Sequence, residues 1–196
     1  DVYRAKSADD VSWFQEHAEL SLSMIRSAGG PEASVIDVGG GASTLVDDLL
    51  ARGHKDVTVL DLSRAALDVA RARLGAKAFL ARWIAGDARD VALPEAAFDV
   101  WHDRAVFHFL VEPADRAAYV RQARKAVRPG GHVIVATFAP DGPDKCSGLP
   151  VMRYAPDDLH REFGGAFELV GHAREDHETP WGALQRFVYC HCVVRH

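Results

Sequence analysis

Apolar and polar positions follow one another along this chain in two rhythms. Short, nearly continuous apolar runs stand at 34–38 (SVIDV), 57–62 (VTVLDL), 82–86 (RWIAG), 98–103 (FDVWHD) and 132–138 (HVIVATF). Runs of that length predict strands covered on both faces. Between them, apolar residues three and four apart predict helices. STLVDDLLARG opens at Ser43 as a cap and stops at Gly53, and SRAALDVARARLG lies between Ser63 and Gly75. A third helix opens with Pro113 in its first turn and stops at Pro129-Gly130-Gly131. Residues 10–29 predict an amphipathic helix ahead of the first strand.

After residue 138 the rhythm changes. A loop at 139–153 precedes a short helix at about 155–163. Two strand-like runs, AFELVGHAR and LQRFVYCHCVV, then follow with no helix between them, which predicts a terminal antiparallel hairpin. The alternation as a whole predicts a single α/β domain over residues 1–196. Its parallel sheet is built of right-handed βαβ units with helices on both faces.

Composition narrows the function classes. The chain has 196 residues, 48% hydrophobic and 26% charged, with a formal net charge of −5. No apolar run reaches the length of a membrane span, and the start, DVYRAKSADDVSW, lacks the pattern of a secretory signal. The densest basic stretch, Arg121, Arg124, Lys125 and Arg128, reads as a solvated helix face, so nucleic acid is an unfavoured partner. Three cysteines without disulfide spacing fit a reduced, cytoplasmic setting. Cys190 and Cys192, two apart in a strand, face the same side and read as core residues.

The candidate chemistry begins behind the first strand, where VIDVGGGAST places Gly39, Gly40 and Gly41 in a row. In open α/β sheets ligands sit at the carboxyl ends of the strands. One glycine suffices for a tight turn, and three point to a ligand approaching the main chain. The pattern G-x-G-x-x-T has Thr44 where a dinucleotide fingerprint has its third glycine, which disfavours a pyrophosphate. Asp61 ends the second strand and is placed to accept hydrogen bonds from a ribose diol. Asp87 follows the third strand and suits an adenine amino group. Asp37, Asp61, Asp87 and Asp103 at successive strand ends predict an acidic crevice, which favours a cationic cofactor.

These segments in this order resemble the class I S-adenosylmethionine-dependent methyltransferases. VIDVGGGAS is similar to that family's first motif, VLDLS to its acidic second-strand motif and AGDARD to its third. FDVWHDRAVFHF resembles its fourth-strand segment and VRPGGHVIVATF its turn into strand five. The resemblance implies a Rossmann-like seven-stranded, mostly parallel sheet with an antiparallel C-terminal strand. It implies S-adenosylmethionine as cofactor, with Gly39, Gly40 and Gly41 against the methionine part, Asp61 on the ribose, Asp87 near the adenine, and Leu62 and Ala88 flanking the ring. Asp37 then orients the glycine loop or reaches the cofactor's amino group. Residues 1–30 become a helical lid, 31–138 the cofactor-binding half, and 139–196 an acceptor-side loop and hairpin.

Methyl transfer from a sulfonium needs alignment more than acid–base help, and it needs no metal. His102, Asp103 and His108 are the candidate catalytic groups, the histidines as bases. Asp103-Arg104 is alternatively a structural pair, or a holder of the cofactor's amino-acid end. Trp13, Phe14, Arg104, Cys146 and Tyr154 are the candidate acceptor-binding residues. Asn/Asp-Pro-Pro-aromatic and Pro-Cys, motifs of nucleic-acid methylases, are absent from 102–108. The expected acceptor is a small molecule carrying a thiol, amine or hydroxyl. The alternatives are a protein lysine, a dinucleotide-dependent oxidoreductase, and a cofactor-binding protein without catalysis. Oligomeric state is unknown.

Overall fold

The computed structural model describes residues 15–179 and 182–195; Trp13 and Phe14 lie outside the described residues. Its elements are α1 (Glu19–Ala28), β1 (Ser34–Val38), α2 (Leu45–Ala51), β2 (Asp56–Asp61), α3 (Arg64–Leu74), β3 (Ala81–Ala85), β4 (Phe98–Arg104), α4 (Pro113–Ala126) and β5 (Val127–Phe138). Then come β6 (Lys145–Cys146), β7 (Leu149–Pro150), α5 (Pro156–Phe163), β8 (Phe167–Glu178) and β9 (Leu184–Val194).

Seven strands form one sheet in the order β3-β2-β1-β4-β5-β9-β8. The first five run parallel, and β9 is antiparallel to both β5 and β8. This is the Rossmann-like, mostly parallel sheet with one reversed strand that the sequence predicts. Both faces are covered, so neighbouring strand residues enter different cores. Val35 and Val100 pack with Leu22 and Ile25 of α1 and Leu45 and Leu49 of α2. Ile36, Val38 and Trp101 pack with Tyr119 and Ala123 of α4 and Leu159 and Phe163 of α5. Leu22 and Ile25, three apart on α1, are 2% and 0% exposed. Each such side chain contributes about 1.5–3 kcal/mol on leaving water.

Three local departures have physical reasons. The helix predicted to stop at Pro129-Gly130-Gly131 ends earlier, at Ala126: β5 begins at Val127, which pairs with Phe98 across a register shift, and Gly130 takes φ +76 within the strand. The triplet is therefore a bulge that lengthens the strand. Thr44 rather than Ser43 precedes α2, and its hydroxyl donates to the carbonyls of Gln15 and Glu16 at 2.9 Å, tying that segment to the glycine turn. The 139–153 loop contains the β6–β7 ribbon, in which Cys146 pairs with Leu149. Its two turn residues, Ser147 and Gly148, have φ +51 and +79, as a type I′ turn requires.

Candidate active site

A cavity of about 740 Å³ opens at the carboxyl ends of β1 to β4, roofed by the β6–β7 ribbon. That size and position suit a small organic ligand. Gly39, Asp61, Leu62, Asp87, Ala88, Arg104 and Cys146 all stand on its wall, together with Arg89, Val106, Phe109 and Asp115.

The glycine turn is dictated by its neighbours. Gly39 has φ +71, and a Cβ there would run into the Val106 side chain. Gly41 has φ +35, and a Cβ there would lie 2.6 Å from Asp61 Oδ2. Gly40 backs onto the Asp37 carboxylate in the same way. The turn is held from outside by Arg73 of α3. Its Nη1 donates to the Ala42 carbonyl at 2.8 Å and its Nη2 to the Ser43 carbonyl at 2.6 Å, while Asp47 pairs with the same guanidinium.

Asp61 is fixed by the Ser63 amide, which donates to Oδ1 at 2.7 Å. Burial pushes its carboxyl up to about 6, with the nearby Asp37 acting in the same direction. No ion pair to Asp61 forms among the described residues. Leu62 beside it is 76% exposed and presents an open apolar face to the cavity.

Asp87 differs from expectation in its company. Arg89 grips it through backbone N and side-chain Nε, both 2.9 Å from Oδ1, and reaches Asp115 of α4 at 2.6 Å. The Arg89 hydrogen bonds hold the Asp87 carboxyl below the usual range. Asp37 and Asp103 turn away from the cavity into opposite cores. The predicted crevice of four carboxylates is thus reduced to Asp61 and an Arg-neutralised Asp87.

The three predicted catalytic groups, His102, Asp103 and His108, are buried off the cavity wall. His102 is 1% exposed and off the cavity wall. Its Nδ1 donates to Asp37 Oδ1 at 2.8 Å, and its Nε2 lies 2.9 Å from the Ser21 hydroxyl on α1. Ser21 in turn stands 3.3 Å from the Tyr189 hydroxyl on β9. Asp103 is fully buried, accepting from the amides of Val106 and Phe107 at 2.8 and 3.0 Å and from the Tyr119 hydroxyl. It caps the turn after β4 instead of meeting a ligand. His108 packs against Phe109 and Phe138, and burial pushes its ring down to about 3. A ring so weakly basic and so far inside does not serve as a base at neutral pH. Tyr154 is 3% exposed and packs on Phe107, within the core and off the cavity wall.

Arg104 and Cys146 do face the cavity. Arg104 Nη2 donates to Glu175 Oε2 at 2.9 Å, its Nε lies 3.1 Å from the Tyr189 hydroxyl, and the guanidinium stacks 4.2 Å over the Phe187 ring. Burial pushes the Cys146 thiol up to about 11. Arg73, Arg89, Asp115 and Glu175 were not among the sequence candidates. Their contacts span long stretches of chain that no local motif records, except for Arg89, whose place two residues after Asp87 is itself a turn signal.

Comparison with known proteins agrees with this architecture. Residues 35–131 match a methyltransferase domain family. The chain is 34% identical over 109 residues to the malonyl-[acyl-carrier protein] O-methyltransferase of Serratia marcescens, covering 56% of this chain and 40% of that protein. It therefore spans less than half of that relative's length. Among solved structures, a SAM-dependent methyltransferase of Methanosarcina mazei superposes with a TM-score of 0.76 at 14% identity, covering 88% of this chain and 97% of the other. The 1,6-didemethyltoxoflavin-N1-methyltransferase of Burkholderia thailandensis, solved with 1,6-didemethyltoxoflavin and S-adenosylhomocysteine, gives 0.73 at 21%, covering 100% and 82%. With the glycine turn, the strand-end Asp61 and the reversed strand in place, the chain belongs to the class I S-adenosylmethionine-dependent methyltransferase family.

Proposed function

We propose that this chain holds S-adenosylmethionine at the ends of β1 to β3 and methylates a small-molecule acceptor beneath the β6–β7 ribbon. One observation carries the reading. Asp61 presents to the cavity a largely buried carboxylate with no cation paired to it among the described residues. Such a group wants neutral hydroxyl donors and repels phosphate, which fits a ribose diol and disfavours a dinucleotide.

The other residues fit the same group. Leu62 and Ala88 offer apolar faces for the adenine ring, with Asp87 at its edge. Gly39 and Gly41 leave room for the amino-acid part, which the Arg73 clasp keeps in shape. When bound, the cofactor supplies a methyl group already activated on a sulfonium, so alignment and exclusion of water are the protein's main tasks. Val106, Phe109 and the ribbon perform the second task by walling the acceptor side with apolar surface. That wall is built from one short ribbon and one turn, which supports a small acceptor over a docked macromolecule.

The test is methyl-labelled S-adenosylmethionine incubated with enzyme and an extract of source cells, then separated into protein precipitate and small-molecule supernatant. Enzyme-dependent label in the supernatant is expected. Label in a protein band would replace this reading with the protein-lysine alternative.

A further inference from the structure

We infer that the acceptor reacts as an anion that is already ionised when it binds, and that Arg104 is the residue that selects it. The inference rests on the methyl-transfer reading above and names the substrate class of that same site.

The first observation concerns which groups can move a proton. Among the described residues, the titratable wall groups besides Asp61 and the Arg89-held Asp87 are Arg89, Arg104, Asp115, Tyr119 and Cys146, and Asp115 is ion-paired to Arg89 at 2.6 Å. A guanidinium accepts no proton. The Tyr119 hydroxyl is committed to Asp103, and the Cys146 thiol keeps its proton at neutral pH. His102 and His108, the other base candidates among the described residues, lie behind the wall.

The second observation is the placing of Arg104. Its guanidinium stands on the wall while its partner Glu175 does not, so the cation separates that carboxylate from the cavity. Phe187 beneath and Tyr189 beside it hold the group rigid. Titratable groups around it are Glu175 from β8, Tyr189 from β9, Cys146 from β6 and His108 after β4. Apolar neighbours such as Val106, Phe109 and Pro150 lower the local polarity, which strengthens attraction for an anion and repulsion of an ammonium.

The step then balances without a base. A lone pair on the anionic sulfur or oxygen of the acceptor forms the bond to the methyl carbon. The carbon–sulfonium bond breaks, and its electron pair returns to the cofactor sulfur. Negative and positive charges cancel, and no proton remains to be placed. Thiolates and carboxylates share this chemistry. Alcohols, which would need deprotonation, and protonated amines do not.

The test uses purified enzyme with labelled cofactor and a panel of thiols of graded pKa, carboxylates, amines and alcohols. Calorimetry in the presence of S-adenosylhomocysteine adds a binding readout independent of turnover. Expected are labelled thioethers or methyl esters, which identify the atom, and a pH profile for thiols that follows the acceptor's own pKa. Arg104→Met should lose about 10–100-fold in acceptor affinity, the scale of charge-assisted hydrogen bonding. Its S-adenosylhomocysteine affinity should stay unchanged, and Arg104→Lys should recover part of the loss. Should Arg104→Met fail to fold, Arg104→Met/Glu175→Gln removes both charges and repeats the comparison. Amines or alcohols methylated as well as anions, with Arg104→Met indifferent, would overturn the anion inference and leave the small-molecule reading standing. Cofactor-product binding with no small molecule labelled would overturn that reading, and this inference with it.

Discussion

Arg73 and Ala42 are 31 residues apart, yet the guanidinium of one donates to the carbonyl of the other at 2.8 Å. Helix α3 thereby holds the glycine turn from outside the cavity. Arg73→Met should weaken S-adenosylhomocysteine binding about 5–10-fold, a moderate effect because the side chain is 30% exposed. Arg73→Lys should fall between. An unchanged dissociation constant by calorimetry would mean that the turn keeps its shape unaided.

Asp61 should show opposite effects on stability and on binding. Its folded carboxyl lies at about 6, above an unfolded value of about 3.9. The stability it contributes is complete below pH about 4 and is lost as pH rises through about 6, because the native state holds the extra proton in that window. Asp61→Asn should therefore raise the stability of the ligand-free protein at pH 7.5 by on the order of 2 kcal/mol. The same change should weaken cofactor-product binding at least about tenfold. Wild type and variant compared by denaturant unfolding at pH 5 and 7.5 would isolate the effect, since Asp103 shifts in the same direction in both.

Removal of His108 should be harmless. Both ring nitrogens are buried without a hydrogen-bond partner among the described residues. His108→Leu removes those polar atoms at similar volume and should leave the fold equally stable, or more so by about 1 kcal/mol. Turnover should stay within about threefold of wild type, whereas loss of a general base costs about a hundredfold or more. Steady-state kinetics on a folded variant decides this.

His102 behaves differently because Asp37 depends on it. His102→Ala leaves a buried carboxylate without its donor and should cost about 3 kcal/mol. Asp37→Asn combined with His102→Gln should recover part of that. A double-mutant cycle on unfolding free energy measures the coupling. A large loss of turnover at unchanged stability would return His102 to the chemistry.

The inner strands β1, β2, β4 and β5 were legible as apolar runs, since burial on both faces leaves little polar interruption, whereas the edge strands β3 and β8, exposed along much of their length, were legible only from shorter strand-like runs. The glycine turn and Asp61 were legible because their chemistry is local to one strand end. His102, Asp103 and His108 were not. At a strand end in a sheet covered on both sides, residue type alone does not say whether a side chain meets the cavity or the helices. Ser21 and Tyr119, the partners that draw His102 and Asp103 inward, lie on α1 and α4, 81 and 16 residues away. The β6–β7 ribbon escaped notice because two-residue strands carry no periodicity, even though Ser147-Gly148 marks its turn.

The position of β9 bears on how the chain assembles during synthesis. β8 leaves the ribosome before β9, yet within the sheet it is hydrogen-bonded to β9 alone, which stands between it and β5. Until β9 is made, β8 has no strand to join and the exposed edge of β5 is open to mispairing. The first five strands can form their parallel array as they emerge. Arg104 of β4 can meet Glu175 of β8 and Tyr189 of β9 only once both of those strands have been made.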